Sequence, residues 1–190
     1  HFNHQLRGRA SDADECFVRR TAAALGLPFR VGRAAVKAFA QLRGFSVEMA
    51  ARELRHKFLA RTAVRLKCRV VALAHHADDQ VELFFLRVFR GAGGEGLAGM
   101  KWRSPSPANR TLDLVRPLLD VSKAELVAFA HAQGIHFRED ASNVSVDILR
   151  NRVRHELLPW LRRRFQPALD QSVRRLMTIV GGEAEVVDAV

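Results

Sequence analysis

A short apolar run that turns abruptly polar constrains the fold of this chain more than any other feature. Residues 70–74 read Val-Val-Ala-Leu-Ala, which is typical of a strand buried in a parallel sheet. A helical pattern follows over residues 77–90, and Gly91 ends it. In open α/β sheets, ligands bind beyond the carboxyl ends of the strands. The polar residues from His75 onward are therefore predicted to form a binding site.

The rest of the chain alternates between helical and strand patterns. Ser11 is predicted to cap a helix that Gly26 closes, residues 29–31 form a short strand, and Ser46 caps a long helix. Ser122 begins another helix through a capping box with Glu125. This order predicts an α/β fold, a parallel sheet with helices packed on its faces.

Three later segments carry further expectations. Residues 102–110 contain Ser-Pro-Ser-Pro and are predicted to be a surface loop, a candidate lid. Residues 147–165 form an arginine-rich helix that Pro159 kinks or ends. A further helix begins near Pro167 and trails into Gly-Gly-Glu, so residues 166–190 are predicted to be a helical linker or the start of a C-terminal region. Residues 1–165 are the predicted nucleotide-binding catalytic domain.

Composition limits the class of protein. The 190 residues are 48% hydrophobic, without the roughly 20-residue apolar stretch of a membrane span, so a cytoplasmic protein without a membrane partner is expected. The net charge is +11 and 26 of the 31 basic residues are arginine, which favours phosphate-bearing partners, although codon bias would also enrich arginine. Cys16 and Cys68 form no metal or redox spacing and are expected to be buried thiols.

The polar turn itself permits three kinds of chemistry. His75, His76, Asp78 and Asp79 could form a transition-metal site, Asp79 could hold Mg²⁺ on a nucleotide triphosphate, or the acids could cap the next helix. Glu82 lies one helical turn later on the same edge. The Gly-rich stretch that follows Arg90 comes after a helix rather than a strand, so a helix stop and a connection explain it as well as a phosphate loop does.

Seven ordered segments together resemble the tRNA(Ile)-lysidine synthetases, a family of N-type ATP pyrophosphatases. They are His1-Phe-Asn-His-Gln-Leu-Arg, Ala50-Ala-Arg-Glu-Leu-Arg-His-Lys-Phe-Leu, His75-His-Ala-Asp-Asp-Gln-Val-Glu, Arg90-Gly-Ala-Gly through Gly96-Leu-Ala-Gly-Met, Val115-Arg-Pro-Leu-Leu, Glu139-Asp-Ala-Ser-Asn and Leu149-Arg-Asn-Arg-Val-Arg-His. The resemblance implies a Rossmann-like fold of the adenine nucleotide alpha hydrolase type. It also implies use of ATP and Mg²⁺ to adenylate the wobble cytidine of a tRNA(Ile) with a CAU anticodon, followed by displacement of AMP by L-lysine.

Site residues follow from the same resemblance. Asp79, Glu82 and Arg150 are the implied catalytic residues, with Asp79 also a Mg²⁺ ligand. The implied substrate and nucleotide ligands are His76, Asp78, Arg90, Gly91, Asn143, Asn151 and Arg154. A homodimer is one possible assembly.

Two departures from the family pattern keep alternatives open. Leu83 stands where the family has threonine, and the phosphate loop Ser-Gly-Gly-x-Asp-Ser does not occur in these 190 residues. The chain is therefore expected to be a fragment without the first strand and PP-loop, inactive by itself. The alternatives are an inactive tRNA-binding remnant, a related PP-loop tRNA-modifying enzyme such as a thiolase, and a metal phosphohydrolase.

Overall fold

The computed structural model describes residues 1–138 and 149–187, which divide into two compact units. Unit 1 combines His1–Ala72 with Arg103–Val115. Unit 2 combines Leu73–Trp102 with the chain from Arg116 onward. Each unit has a hydrophobic cluster of its own.

Unit 1 contains five short strands and three helices among the described residues. The strands are β1 (Phe2–Asn3), β2 (Gly32–Arg33), β3 (Val70–Ala72), β4 (Arg103–Ser106) and β5 (Asn109–Val115). The helices are α1 (Arg9–Ala24), α2 (Val36–Arg43) and α3 (Val47–Arg65). β1 and β2 pair in parallel, and a second sheet has the order β3-β5-β4, in which β3 is parallel and β4 antiparallel to β5. The predicted strand–helix alternation and parallel pairing are confirmed.

Small residues let the helices of unit 1 approach closely. Val36, Ala40 and Ala50 are buried where α2 meets α3. Ala60 and Ala63, further along α3, pack with Leu112 of β5. Ser46 caps α3 as predicted, since its Oγ accepts a hydrogen bond from the backbone N–H of Met49 at 3.2 Å.

Unit 2 is helical. Its helices are α4 (Ala77–Val88), α5 (Lys123–Ala132), α6 (Leu149–Arg152), α7 (Leu158–Arg164) and α8 (Leu169–Val187), with a 3₁₀ turn at Gly94–Ala98 and a π-helical turn at Val153–Leu157. The core joins α4, the π turn, α7 and α8 through Val81, Phe84, Val153, Leu158, Val173 and Met177. α4 therefore presents one face to this core and leaves its first turns free to build a polar site.

Two predicted features of unit 2 are confirmed. Ser122 Oγ accepts a hydrogen bond from the Glu125 N–H at 3.2 Å, and the Glu125 carboxylate accepts one from the Ser122 N–H at 2.8 Å, which is the capping box of α5. Pro159 lies in the first turn of α7, directly after the π turn. A proline has no N–H to donate and its ring clashes with the preceding turn, so the helix changes its hydrogen-bond pattern there.

Several predicted boundaries in unit 1 are wrong. α1 begins at Arg9 rather than after Ser11, whose buried hydroxyl accepts a hydrogen bond from the Arg7 N–H at 3.1 Å. β2 occupies Gly32–Arg33 rather than residues 29–31. The rings of Phe2 and Phe58 lie so close to Gly32 that no side chain fits there, and this packing overrides the weak strand propensity of glycine.

The predicted loop at residues 102–110 is instead a β-hairpin formed by β4 and β5. β4 is an edge strand, where Pro105 is tolerated because its missing N–H breaks no ladder on the open side. An ion pair of 2.5 Å between Arg103 and Asp113 links the two strands. The segment is therefore a paired part of the sheet rather than a loop.

One expectation is wrong, one is confirmed and one lies outside the described residues. Cys16 and Cys68 are exposed rather than buried. The helix predicted after Pro167 is confirmed as α8, which continues through Gly181 and Gly182. The predicted start of the arginine-rich helix at residue 147 lies outside the described residues. Within those residues, no helix is long and apolar enough to cross a membrane.

Candidate functional site

The carboxylates of the polar turn lie on the first two turns of α4. His76 occupies the position before the helix, and its backbone N–H donates a hydrogen bond to Asp79 Oδ2 at 3.0 Å. Glu82 follows Asp79 by three residues, so both side chains point to the same edge of the helix, as predicted. α4 therefore presents two acids together next to its N-terminus.

Two arginines from α6 and the π turn of unit 2 bind these acids. Arg150 of α6 spans both of them, donating from Nη2 to Asp79 Oδ1 at 2.6 Å and from Nε to Glu82 Oε2 at 2.7 Å. Arg154 of the π turn binds Glu82 with two hydrogen bonds, from Nε at 2.6 Å and from Nη2 at 2.9 Å. Arg150 and Arg154 share one face of their helix because they are four residues apart. We call Asp79, Glu82, Arg150 and Arg154 the carboxylate–arginine cluster.

Burial divides this cluster into an inner and an outer part. The Glu82 side chain is only 1% exposed, whereas that of Arg150 is 37% exposed. The hydrogen bonds that Arg154 donates to Glu82 are the main reason that the pKa of Arg154 is raised above its ordinary value. Glu82 thus holds both guanidinium groups from the buried side of the cluster. Arg150 lies on the outer side and presents positive charge toward solvent.

Asp78 and His76 form a second pair beside the cluster. Asp78 Oδ2 lies 3.6 Å from His76 Nδ1 and accepts a hydrogen bond of 2.8 Å from the backbone N–H of Lys123, the first residue of α5. The contact with His76, followed by that with Lys123, lowers the pKa of Asp78 to about 2. Asp78 is the main cause of the raised pKa of His76. Asp78 therefore connects the starts of two helices and favours a protonated His76.

This pair predicts a pH-dependent stability. The contribution of His76 is complete below its ordinary pKa of 6.5 and is lost as pH rises through its raised pKa. The stabilising contribution of Asp78 is complete above its ordinary pKa of 3.8 and is lost as pH falls through its lowered pKa of about 2. We expect Asp78→Asn to lower the free energy of unfolding more at about pH 5.5 than at about pH 8.5, as measured by urea denaturation.

Asp170→Asn is the matched control for this measurement. Asp170 pairs at 2.8 Å with Arg162, whose charge does not change over this pH range, so its loss should be equal at both pH values. An equal loss for Asp78→Asn would show that His76 stays neutral beside it.

Side chains of α4 also fix the glycine-rich segment. The amide of Gln80 donates to the Met100 carbonyl at 2.9 Å and accepts from the Met100 N–H at 2.8 Å, while Arg87 donates to the Gly96 and Gly99 carbonyls. Gly99 has a φ of 82°, and a Cβ there would lie 2.8 Å from Gln80 Oε1. These contacts identify the segment as a tethered connection after α4.

The remaining predicted ligands lie at different distances from the cluster. Arg90 and Gly91 follow the far end of α4, roughly 16 Å along the helix axis from Asp79. Asn151 belongs to α6 beside Arg150 and is buried. Asn143 lies outside the described residues. The structure thus brings together Asp79, Glu82, Arg150 and Arg154, with His76 and Asp78 beside them, and leaves Arg90 and Gly91 apart.

Sequence reasoning missed the residues that support the site. Gln80 and Arg87 project from α4 toward the glycine-rich segment, and Lys123 contributes only a backbone N–H. The helical periodicity of α4 could have indicated Gln80 and Arg87, which are seven residues apart and so share a face. No sequence signal marks the Lys123 amide, because every non-proline residue carries one.

Mg²⁺ does not fit the cluster as it is folded. Arg150 occupies Asp79 Oδ1 and the His76 N–H occupies Oδ2, while both oxygens of Glu82 bind guanidinium groups. A dication would lie beside two positive charges. Residues 1–138 and 149–187 contain no group of three or more His, Cys, Asp or Glu side chains placed to hold a metal ion. An ion that accompanies ATP would thus depend mainly on phosphate oxygens.

The chain is similar over nearly all of its length to tRNA(Ile)-lysidine synthases. The chain is 44% identical to the tRNA(Ile)-lysidine synthase of Geobacter sulfurreducens over 97% of its own length and 38% of that protein. It is 38% identical to the tRNA(Ile)-lysidine synthase of Dehalococcoides mccartyi over 100% of this chain and 41% of that protein. It is 34% identical to the tRNA(Ile)-lysidine synthase of Chlorobaculum tepidum over 99% of this chain and 55% of that protein. The chain thus spans between about two fifths and just over half of the length of these relatives.

The fold class is confirmed by a solved structure. The U34-tRNA thiolase NcsA from Methanococcus maripaludis, determined with its [4Fe-4S] cluster, matches 95% of this chain and 61% of its own with a TM-score of 0.70. The sequence identity is 15%, so the likeness concerns the Rossmann-like α/β fold alone. The family model of the PP-loop domain matches residues 1–161, and the chain belongs to the PP-loop domain family.

Proposed function

We propose that this protein, in its naturally encoded form, joins L-lysine to the wobble cytidine of a tRNA(Ile) with a CAU anticodon and consumes ATP. The carboxylate–arginine cluster is the observation that carries this proposal, because it places a carboxylate and an outward-facing guanidinium side by side. The similarity to tRNA(Ile)-lysidine synthases over 95% or more of the chain supports the choice of substrates. The tRNA substrate implies a cytoplasmic enzyme.

The proposed reaction has two steps. The C2 oxygen of cytidine attacks the α-phosphorus of ATP, and the bond to pyrophosphate breaks. The lysine ε-amine then attacks C2, the C2–oxygen bond breaks with release of AMP, and the nitrogen loses a proton. Mg²⁺ bound with ATP would neutralise charge on the departing pyrophosphate.

The cluster suits both steps. Arg150 can approach a phosphate or the adenylated base because its side chain is 37% exposed. Each oxygen of the Asp79 carboxylate accepts one hydrogen bond, from Arg150 or from the His76 N–H, and keeps a second lone pair. Through these lone pairs Asp79 can accept a hydrogen bond from the lysine ammonium group and then its proton. Glu82 is too deeply buried to reach a substrate and acts by positioning the two arginines.

The decisive experiment is direct product analysis. The naturally encoded protein is incubated with ATP, Mg²⁺, ¹³C-labelled L-lysine and a tRNA(Ile) transcript with a CAU anticodon, and the nucleosides are separated and identified by mass spectrometry. A cytidine carrying one labelled lysine is the expected product. Retained tRNA binding without any such nucleoside would instead support the inactive RNA-binding alternative.

A further inference from the structure

A cationic trough runs along one side of unit 1. It consists of two hollows of about 540 and 550 Å³ that share Val64 as a common wall. The first lies between α3 and the β4–β5 turn at Ala108 and Asn109, and the second lies between the end of α3 and the start of β5. The cations that line the two hollows are Lys57, Arg61, Arg65, Lys67 and Arg69.

Among the described residues, four of these five cations have no carboxylate to neutralise them. Lys57 pairs with Glu53 at 2.5 Å. The other four are exposed and form no ion pair with any residue in the part of the chain that the structure describes. Asp113, a carboxylate of β5, is paired with Arg103. Like charges held close together repel each other, and a polyanion in the trough would relieve that repulsion.

The arrangement of the cations matches a chain of phosphates. Lys57, Arg61 and Arg65 recur every four residues on one face of α3, which separates them by roughly 6 Å per step along the axis. Successive phosphates of an extended RNA strand are separated by a similar distance. Val64 is 57% exposed between them and offers an apolar surface to ribose or base.

We propose that this cationic trough binds the phosphate backbone of the tRNA substrate. The identity of the RNA rests on the proposed function, whereas the trough itself rests on charge and spacing. Contacts to phosphate position an RNA without reading its sequence. The trough is therefore expected to raise affinity for cognate and non-cognate tRNA alike.

The test measures affinity at several salt concentrations. Binding of a fluorescently labelled tRNA(Ile) transcript is followed by polarisation between about 50 and 300 mM KCl, using the naturally encoded protein. The triple substitution Arg61→Gln, Arg65→Gln and Arg69→Gln is expected to weaken binding about 10- to 100-fold at the lowest salt. It should also reduce the slope of log K against log salt concentration by about 2 to 3.

Matched variants separate phosphate binding from folding. Replacing Arg9, Arg20 and Arg30 by glutamine removes the same charge from exposed positions of unit 1 that line neither hollow, and affinity should fall less than about threefold. Lysine at positions 61, 65 and 69 keeps the charge and should retain most of the affinity. Ala108→Glu adds a carboxylate to the rim of the trough and should weaken binding without removing any arginine.

The outcomes distinguish this proposal from the proposed function. Unchanged tRNA affinity and salt slope in the Arg61, Arg65 and Arg69 glutamine variant would overturn the proposal that the trough binds tRNA, even if the protein forms lysidine. An acidic protein segment would then be the better candidate ligand for the trough. A large loss of tRNA affinity in that variant supports the trough, even if no lysidine is formed. If the triple variant and its Arg9, Arg20 and Arg30 control lost equal amounts of tRNA affinity, net charge alone would explain the effect. That result would also overturn the proposal.

Discussion

Asp79→Asn is expected to reduce lysidine formation at least about 100-fold while tRNA affinity stays within about threefold of the unsubstituted protein. The amide has nearly the shape of the carboxylate, and its oxygen can still accept the hydrogen bond from Arg150. Its NH2 group then replaces the oxygen that accepts from the His76 N–H, which weakens the cap, but the core contacts of Val81 and Phe84 should keep α4 folded. It carries no negative charge for the lysine ammonium group and is a poor acceptor for its proton. Single-turnover formation of the lysidine nucleoside is the measurement.

Binding assays show whether this loss concerns chemistry. The tRNA affinity of Asp79→Asn is measured in parallel, with Asp170→Asn as a control that removes another arginine-paired aspartate of unit 2. If the affinity for tRNA fell as steeply as the rate, Asp79 would support RNA binding and its assignment to the lysine amine would be wrong.

Glu82→Leu is expected to have the largest effect on stability, a loss of about 3 kcal/mol in the free energy of unfolding. The substitution removes a buried carboxylate that accepts three hydrogen bonds, so Arg154 loses its main partner and Arg150 keeps only Asp79. Partial exposure of the arginines lets water compensate for some of this loss. Urea denaturation and the thermal midpoint measure the effect.

Removing the arginines as well tests the physical cause. A variant with Glu82→Leu, Arg150→Met and Arg154→Leu also removes the guanidinium group of Arg154, which Glu82→Leu alone would leave without its main partner. Part of the lost stability should therefore return, less the cost of the Asp79 ion pair that is lost with Arg150, while lysidine formation stays absent. A triple variant as unstable as Glu82→Leu alone would mean that the packing of Glu82, rather than its charge, stabilises unit 2.

The sequence patterns that predicted the fold correctly are those in which a short segment determines its own structure. Ser46, Ser122 and Glu125 complete their caps within three residues, and the effect of Pro159 follows from its ring. β2 and the β4–β5 hairpin depend on contacts that local propensity does not describe. The strand at Gly32 forms because Phe2 and Asn3 lie beside it and because two phenylalanine rings need the space.

The residues of the site also divide into features that local spacing predicts and contacts that it does not. The spacing of Asp79 and Glu82 within one helix, and of Arg150 and Arg154 within another, is enough to predict two shared faces. The pairing of the two faces spans about seventy residues of sequence, as the separations of 68, 71 and 72 positions between partners show. Periodicity carries no information about such contacts, so the sequence predicts arginines that face a substrate but not which acids pair with them.

The π-helical turn at Val153–Leu157 acts as a one-residue insertion within an otherwise continuous helix. Each helical residue turns the chain by about 100°, so the extra residue changes which side of α7 faces the core relative to α6. Arg154 can therefore face the acids of α4 while Leu158 and Val153 fill the hydrophobic core. The length of this turn is therefore subject to selection. Deletion of one residue would rotate α7 relative to α6, so the helix could keep either the ion pairs with the acids of α4 or the packing of Leu158 in the core, but not both.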